Sequence, residues 1–315
     1  MKKKTINQVI NKKFDEFLSS IKDPAVQKLV KKNTIVTGGC IASMLLKEQV
    51  NDFDMYFTNK ETVLAVAKYY VHQFLSVNHP THTNEQGILI EVQEEGGRVK
   101  IYIKSAGVAS ETSGDNYQYF ESRPEGEADD YIQQVVNAVA ESDEKEIEIP
   151  NDNRYRPVFL SANAITLSDK VQIVIRFYGD PDNIHQHYDY VHCTNYWTSK
   201  DRKVVLKQDA LEALMAKELI YIGSKYPICS IIRTRKFIKR GYTINAGQYL
   251  KMAFQISELD LTDLEVLEDQ LTGVDVAYFY ELIDGLKKHT DKQKEEGKDF
   301  RLTYGYLTTI IDKIF

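Results

Sequence analysis

The sequence predicts an α+β fold: a mixed sheet with flanking helices, followed by an all-helical C-terminal domain. Three observations predict it. Short alternating runs such as FDMYF and VQIVIRFY are interleaved with helical periodicity up to about residue 204. Beyond Val204 every periodic segment reads as helix. Hydrophobic residues make up 43% of the 315, with 20 Tyr and 13 Phe, enough to fill such layers and too many for a disordered chain. The expected division is residues 1–204 and 205–315, with an insertion at about 78–155 inside the first domain.

The elements follow in order. Ile6, Val9, Ile10, Phe14, Phe17, Leu18 and Ile21 recur at three- and four-residue spacing, which predicts one helix over residues 6–30. TIVTGG is a short strand ending in a glycine pair, and CIASMLLKEQ a helix without Gly or Pro. FDMYF alternates as a strand, with Phe53, Met55 and Phe57 on one face and Asp52, Asp54 and Tyr56 on the other. KETVLAVAKYYVHQFL is a helix, and GILIEVQEEGGRVKIYIK a hairpin turning at EEGG. Residues 105–130 read as an acidic surface loop, YIQQVVNAVAE as a short helix and SDEKEIEIPNDN as a charged connector. VQIVIRFYG and HYDYVHCTNYW are predicted to be two strands joined by a turn at GDPDN. The helical part runs from LKQDALEALMAKELIYI through PICSIIRTRKFIKRG, INAGQYLKMAFQI, LTDLEVLEDQL and VAYFYELIDGLKKH to YGYLTTIIDKIF.

Composition excludes several classes. The net charge of −6 offers no global nucleic-acid footprint, so any basic surface must be local. Cys40, Cys193 and Cys229 lie far apart and suit neither a disulfide framework nor a zinc site, which predicts a reducing, cytoplasmic setting. MKKKTINQVINKKF is not followed by the apolar stretch of a signal peptide. Lys68, His72 and Gln73 interrupt the apolar run Val63 to Leu75, so no membrane span is expected.

The chemistry concentrates in GGCIASMLLKEQVNDFD. A strand ending in Gly38-Gly39 and turning into a helix suits a phosphate: glycine allows close approach, and the helix start offers unsatisfied N–H groups. Taken alone, the pair is equally an ordinary steric turn. Asp52 and Asp54, two residues apart, place two carboxylates on one face, an arrangement that is unfavourable without a cation between them. Hard divalent ions use such carboxylates together with substrate phosphates. Taken alone, D-x-D is equally the polar face of an edge strand.

Together, the Gly-Gly turn, the short helix with Leu45 and Leu46, and the D-x-D strand resemble the nucleotidyltransferase superfamily, in particular CCA-adding enzymes and poly(A) polymerases. The likeness in order and spacing spans roughly 20 residues, and a broader likeness extends to uncharacterised phage-encoded members. The resemblance implies a nucleotidyltransferase-fold mixed sheet and a two-ion Mg²⁺ mechanism, with Mn²⁺ as a substitute, the ions about 3.5–4 Å apart. It also implies a third carboxylate on a later, adjacent strand. Asp189 in HYDYVHC is the candidate; Asp169 and Asp180 are rivals in turn-like contexts. Carried over, Asp52 and Asp54 would hold both ions and Asp189 the catalytic one, while Gly38, Gly39 and Ser43 would contact the triphosphate. Two departures stand out: Ala42 and Ser43 replace the Arg-Asp step that often follows the glycines in CCA-adding enzymes, and no E-D-x-x-R nucleotide-choosing motif is present.

Between Lys225 and Lys251 lie seven basic residues and no acidic ones. Arg233, Lys236 and Arg240 share one predicted helical face, and Ile228, Ile231, Ile232 and Ile238 mark another. The segment resembles the neck helix of CCA-adding and poly(A) enzymes, which implies that Arg233, Lys236 and Arg240 receive triphosphate or RNA backbone. The alternative is a solvated helix face. His185, His187 and His192 read as structural or rim residues, and Tyr196 and Trp197 as core or rim aromatics with base stacking as the alternative.

The function expected from the sequence is metal-dependent transfer of NMP from an NTP to a hydroxyl, with an RNA 3′ end as acceptor and pyrophosphate as product. The rival expectation is a non-catalytic nucleotidyltransferase-fold protein that binds partners or assembles into a virion.

Overall fold

The computed structural model describes residues 1–77, 90–103, 108–109, 154–261, 263–271 and 308. Two helices open the chain, α1 (Lys3–Ser20) and α2 (Pro24–Asn33). The single helix expected over 6–30 is therefore broken. Asp23 accepts hydrogen bonds from the Ala25 and Val26 amides, and Pro24 occupies the first turn, where its missing N–H costs nothing. Asp23→Ala is expected to lower stability by about 1 kcal/mol in chemical denaturation, the usual loss for an N-cap side chain.

The first strand, β1 (Thr34–Thr37), feeds α3 (Gly39–Leu46), and β2 (Phe53–Phe57) and α4 (Lys60–Val77) follow. The predicted hairpin is present as β3 (Glu91–Glu95) and β4 (Arg98–Tyr102), an antiparallel pair separate from the main sheet. Then come β5 (Val108–Ala109), β6 (Pro157–Leu160), β7 (Ala164–Leu167) and β8 (Val171–Tyr178). Helix α5 (Pro181–His185), a 3₁₀ turn at Val191–Cys193, β9 (Tyr196–Thr198) and β10 (Lys203–Val205) complete the sheet region. The helices α6 (Gln208–Ala216), α7 (Pro227–Lys239), α8 (Ala246–Ile256) and α9 (Leu264–Leu271) follow.

The main sheet has the order β10-β9-β1-β2-β8-β7-β6-β5. It is mixed: β2 and β8 run parallel and the other neighbours antiparallel. With helices on both faces and helices after it, the chain is α+β, as the sequence predicts. The acidic loop, the YIQQVVNAVAE helix and the connector fall almost wholly outside the described residues, as do the two last predicted helices. Strand β10 runs across residue 204 and still belongs to the sheet.

Alternation sorts the side chains. Phe53, Met55 and Phe57 of β2, with Val171, Ile173 and Ile175 of β8, join Phe14 and Phe17 of α1 and Val66, Tyr70 and Phe74 of α4 in the principal core. Trp197 is fully buried there, and its Nε1 donates to Asn11 Oδ1 at 3.0 Å. It is a core residue, not a base-stacking platform. On the opposite face, Tyr56, Ile35, Val174 and Ile184 form a second cluster against which Tyr188 and Tyr196 pack. That second face carries the candidate site.

The segment HYDYVHCTNYW departs from the predicted strand. Asp180 caps α5 through the Asn183 amide, so GDPDN opens a helix rather than closing a turn. Asp189 then lies in a loop, and only Tyr196–Thr198 pairs as a strand. The apparent alternation arises from aromatics fixed one by one, as where Tyr190 Oη donates to the Ser230 carbonyl at 2.8 Å. Asp169 has the local backbone role of a turn residue: it sits at φ 60° and accepts from the Tyr155 amide at 3.4 Å.

Candidate functional site

The site begins where β1 ends. Thr37 pairs with Asp54 across the β1–β2 ladder, so the chain leaves β1 directly beside that carboxylate. Gly38 turns it into α3 at φ 94° and ψ −151°, a conformation essentially reserved for glycine. A Cβ on Gly38 would stand 2.7 Å from Asp54 Oδ2 and 3.4 Å from the Tyr188 hydroxyl. The glycine is thus required by close approach as well as by backbone angle. Gly39 opens α3, and among the described residues nothing would lie within 4 Å of a Cβ added there, so its side of the turn is open. The Gly38 amide is directed to the Cys193 carbonyl, 3.2 Å away.

Asp52 and Asp54 are both half-buried, Asp52 just before β2 and Asp54 within it. Their negative field reaches the Cys40 thiol, which is pushed well up by burial first and then by Asp54 and Asp52. Burial, then Tyr56 and Asp54, likewise push the Tyr188 phenol up. In the neighbouring strand the residue in register with Asp54 is Gln172. The position where an adjacent strand would present a third carboxylate therefore carries an amide.

Asp189 comes from the loop after α5 instead. Its Oδ1 accepts from Ser230 Oγ and its Oδ2 from Arg233 Nη1, each at 2.7 Å. This corrects the expectation of a strand-borne ligand: the carboxylate is turned toward α7. Among the described residues, no group of three or more His, Cys, Asp or Glu side chains is placed to hold a metal ion. The nearby Cys193 thiol is shifted. Burial pushes it up to about 12, and Arg240, Asp189, Asp54 and Lys236 all act on it.

Helix α7 docks with a face different from the one expected. Cys229, Ser230 and Thr234 are buried, while Ile231 and Ile238 are exposed. Two cations turn inward because carboxylates await them. Arg233 meets Asp189, and Arg240 just past the helix pairs with Glu48 and donates to Ser43 Oγ at 3.1 Å. Ser43 and Arg240 are thus brought together as predicted site neighbours, whereas Lys236 is exposed. Glu48 was not legible in the sequence. Lys47 adopts a left-handed conformation that ends α3, and the Glu48 amide returns to the Ser43 carbonyl at 2.8 Å. Burial opposes ionisation of Glu48, but the Arg240 guanidinium and Lys217 hold its carboxyl below the usual range.

The donor chemistry at Asp52 and Asp54 fits a hard divalent cation whose remaining positions are filled by phosphate oxygens and water. Beside it, the glycine turn leaves space for a phosphate. Arg240 and Arg233, each already paired, could exchange a carboxylate for a phosphate.

Behind the turn a hydrogen-bonded chain runs from the buried Thr37 and His185 out to Lys207 and its exposed ion-pair partner Asp182. Thr37 Oγ1 has one proton and donates it to the Asn195 carbonyl at 2.9 Å, so His185 Nε2–H donates to Thr37 Oγ1 at 2.9 Å. Lys207 Nζ donates to His185 Nδ1 at 3.3 Å and to Asp182 Oδ1 at 2.7 Å. Burial, then Lys207, lower His185 to about 4; burial, then Arg240, lower His192 to about 4. Both histidines take up protons more readily unfolded than folded. Their contribution to stability is full above about pH 6.5 and falls as pH drops towards 4. The melting midpoint is expected to decline across that window, and His185→Gln with His192→Gln to flatten the decline in a pH-resolved melting series.

The fold and site define an α+β protein in which a glycine turn, a paired carboxylate and a basic helix converge. Residues 8–217 match the family described as Gabija anti-defense 2 family protein, and the chain belongs to that family. A curated relative, "Gabija anti-defense 2" of Bacillus phage SPbetaL7, is 24% identical over 107 residues, 33% of this chain and 27% of that protein. Among solved structures, the chain is similar to a Thermotoga maritima CCA-adding enzyme complexed with tRNA, at 10% identity and a TM-score of 0.37, covering 82% of this chain and 49% of that one. It is also similar to the Bacillus stearothermophilus CCA-adding enzyme in complex with CTP, at 10% identity and a TM-score of 0.33, covering 83% and 49%. The chain thus spans about half the length of those enzymes. No helix among the described residues is long and apolar enough to cross a membrane.

Proposed function

We propose that the protein is a nucleotidyltransferase that moves NMP from an NTP to a hydroxyl acceptor, with an RNA 3′ end as the acceptor of choice, and that it does so as a phage anti-defense factor. One observation carries this reading: Gly38, in a glycine-only conformation, is packed against Asp54 with no room for a Cβ. That packing sets the start of α3 directly beside the Asp54 carboxylate, so a phosphate at the helix start and a cation on the carboxylate would be neighbours. Phosphate at the turn and a divalent cation on Asp52 and Asp54 would neutralise each other.

In this reading Mg²⁺, with Mn²⁺ as a substitute, supplies charge neutralisation at the phosphates. Asp52 and Asp54 hold it, and the α3 amides after Gly38 orient the phosphate chain. Arg240 is released from Glu48 to bind phosphate, with Ser43 beside it, and Lys236 adds positive potential. Asp189, when freed from Arg233, is the third carboxylate. The anti-defense role is taken from the family description; the transfer reaction is taken from the site.

Protein incubated with α-labelled NTPs, Mg²⁺ and bulk RNA should transfer label to RNA. Absence of transfer to RNA, protein or small-molecule acceptors under these conditions would remove the enzymatic reading. A second reading has its own support. Asp189 and Glu48 are each engaged by an arginine, the arrangement of a fold that keeps the site but serves as a binding protein. Stoichiometric recovery with a host or virion partner and no NTP turnover would favour it.

A further inference from the structure

Away from the glycine turn, on the far stretch of β8, three cations surround one carboxylate. Arg176, near the end of β8, is only 5% exposed. Its Nη1 donates to Asn163 Oδ1 at 3.1 Å, its Nη2 pairs with Asp269 of α9, and its guanidinium lies 4.5 Å from the Tyr226 ring centroid. Its Nε is buried and has no hydrogen-bond partner among the described residues. Arg98, from β4, reaches the same Asp269 oxygen at 3.5 Å. Lys225, exposed just before α7, stands over the same Tyr226 ring as Arg176, its Nζ 5.7 Å from the centroid; burial lowers its pKa, Asp269 raises it, and Arg176 and Arg98 lower it further.

A buried guanidinium N–H without a partner is unfavourable, and among the described residues one carboxylate serves three mutually repelling cations. The carboxylate side chain is itself about one-third exposed, so the cluster is reached from solvent on its side. Helix α9 is held there by short contacts: Gln270 Nε2 donates to the Lys225 carbonyl at 2.9 Å, and Cys229 Sγ lies 2.7 Å from the Gln270 carbonyl.

We propose that the cluster of Arg176, Arg98 and Lys225 is a phosphate-binding site, and that Asp269 occupies it in place of ligand. A phosphate brings more charge and more acceptor oxygens than one carboxylate, and it reaches Arg176 Nε as well as Nη2. The same chemistry is offered by a free phosphate or phosphomonoester and by the diester backbone of a nucleic-acid strand. The site is independent of the transfer reaction proposed above.

The test is thermal melting of the full chain in chloride buffer, compared at matched ionic strength with inorganic phosphate and with a single-stranded RNA lacking terminal phosphates. Asp269→Asn should melt earlier in chloride and gain roughly 3 °C in ligand, the shift given by ligand at about twenty times its Kd, while wild type gains far less. Adding Arg98→Ala to Asp269→Asn should abolish the gain. A response to inorganic phosphate identifies a free phosphate or monoester as the ligand, and a response to RNA alone identifies the diester backbone. If Asp269→Asn does not fold, Arg98→Ala and Lys225→Ala in the wild-type background should each weaken binding of the responding probe by about tenfold, measured by ³¹P NMR or fluorescence titration. The proposal is overturned if no probe binds, or if binding survives these changes.

Discussion

Asp54→Asn is expected to reduce nucleotidyl transfer by about 10³-fold, the loss of several kcal/mol of charge stabilisation at the reacting phosphates. The substitution keeps shape and removes charge. The protein should remain folded, with a melting midpoint equal to or above wild type, because a like charge beside Asp52 is removed. Asp52→Asn should behave in the same direction. Label transfer and melting measured on the same preparation separate a chemical loss from a folding loss. Transfer unchanged in Asp54→Asn would show that the reaction lies elsewhere.

Gly38→Ala is expected to damage both stability and transfer. Its backbone angles cost any other residue about 1–3 kcal/mol, and its new methyl would sit 2.7 Å from Asp54 Oδ2, so the carboxylate or the turn must move. Gly39→Ala is the matched control. It opens α3 in space with nothing among the described residues within 4 Å of the added Cβ, so its stability should be unchanged or slightly raised. Denaturation midpoints of the pair check this. Equal stability of the two variants would mean that the turn is not held against Asp54.

Much of the fold was legible because local rules and tertiary packing agreed. FDMYF shows its two faces in sequence, and the structure buries Phe53, Met55 and Phe57 in the core while Asp54 meets the glycine turn on the other face. What was not legible depends on long-range partners. HYDYVHC alternates like a strand, yet its backbone pairs only through a single antiparallel bridge, Tyr190 with Tyr221, and its aromatics are otherwise held by α7 and by the second-face cluster. The orientation of α7 was misread for a related reason. Isoleucine spacing suggested an apolar inner face, but ion pairs from Arg233 to Asp189 and from Arg240 to Glu48 turn the helix, leaving Ile231 and Ile238 outside. No periodicity announces a partner more than 40 residues away. Pro24 after Asp23, by contrast, was a readable helix break that apolar periodicity across residues 6–30 overrode.

The two arginine–carboxylate pairs also bear on how the site would work. Asp189 engages Arg233 and Glu48 engages Arg240, so under the proposed function a triphosphate that reaches these arginines competes with the two carboxylates for the same guanidinium groups. Binding would then loosen Asp189 as well as recruit Arg240.

Calorimetric titration of a non-hydrolysable NTP, with and without Mg²⁺, into wild type and into the Asp52→Asn/Asp54→Asn double variant tests the central claim most directly. The account predicts binding to wild type that depends on Mg²⁺ and is lost in the double variant. Equal binding in the double variant, or wild-type binding indifferent to the metal, would contradict it.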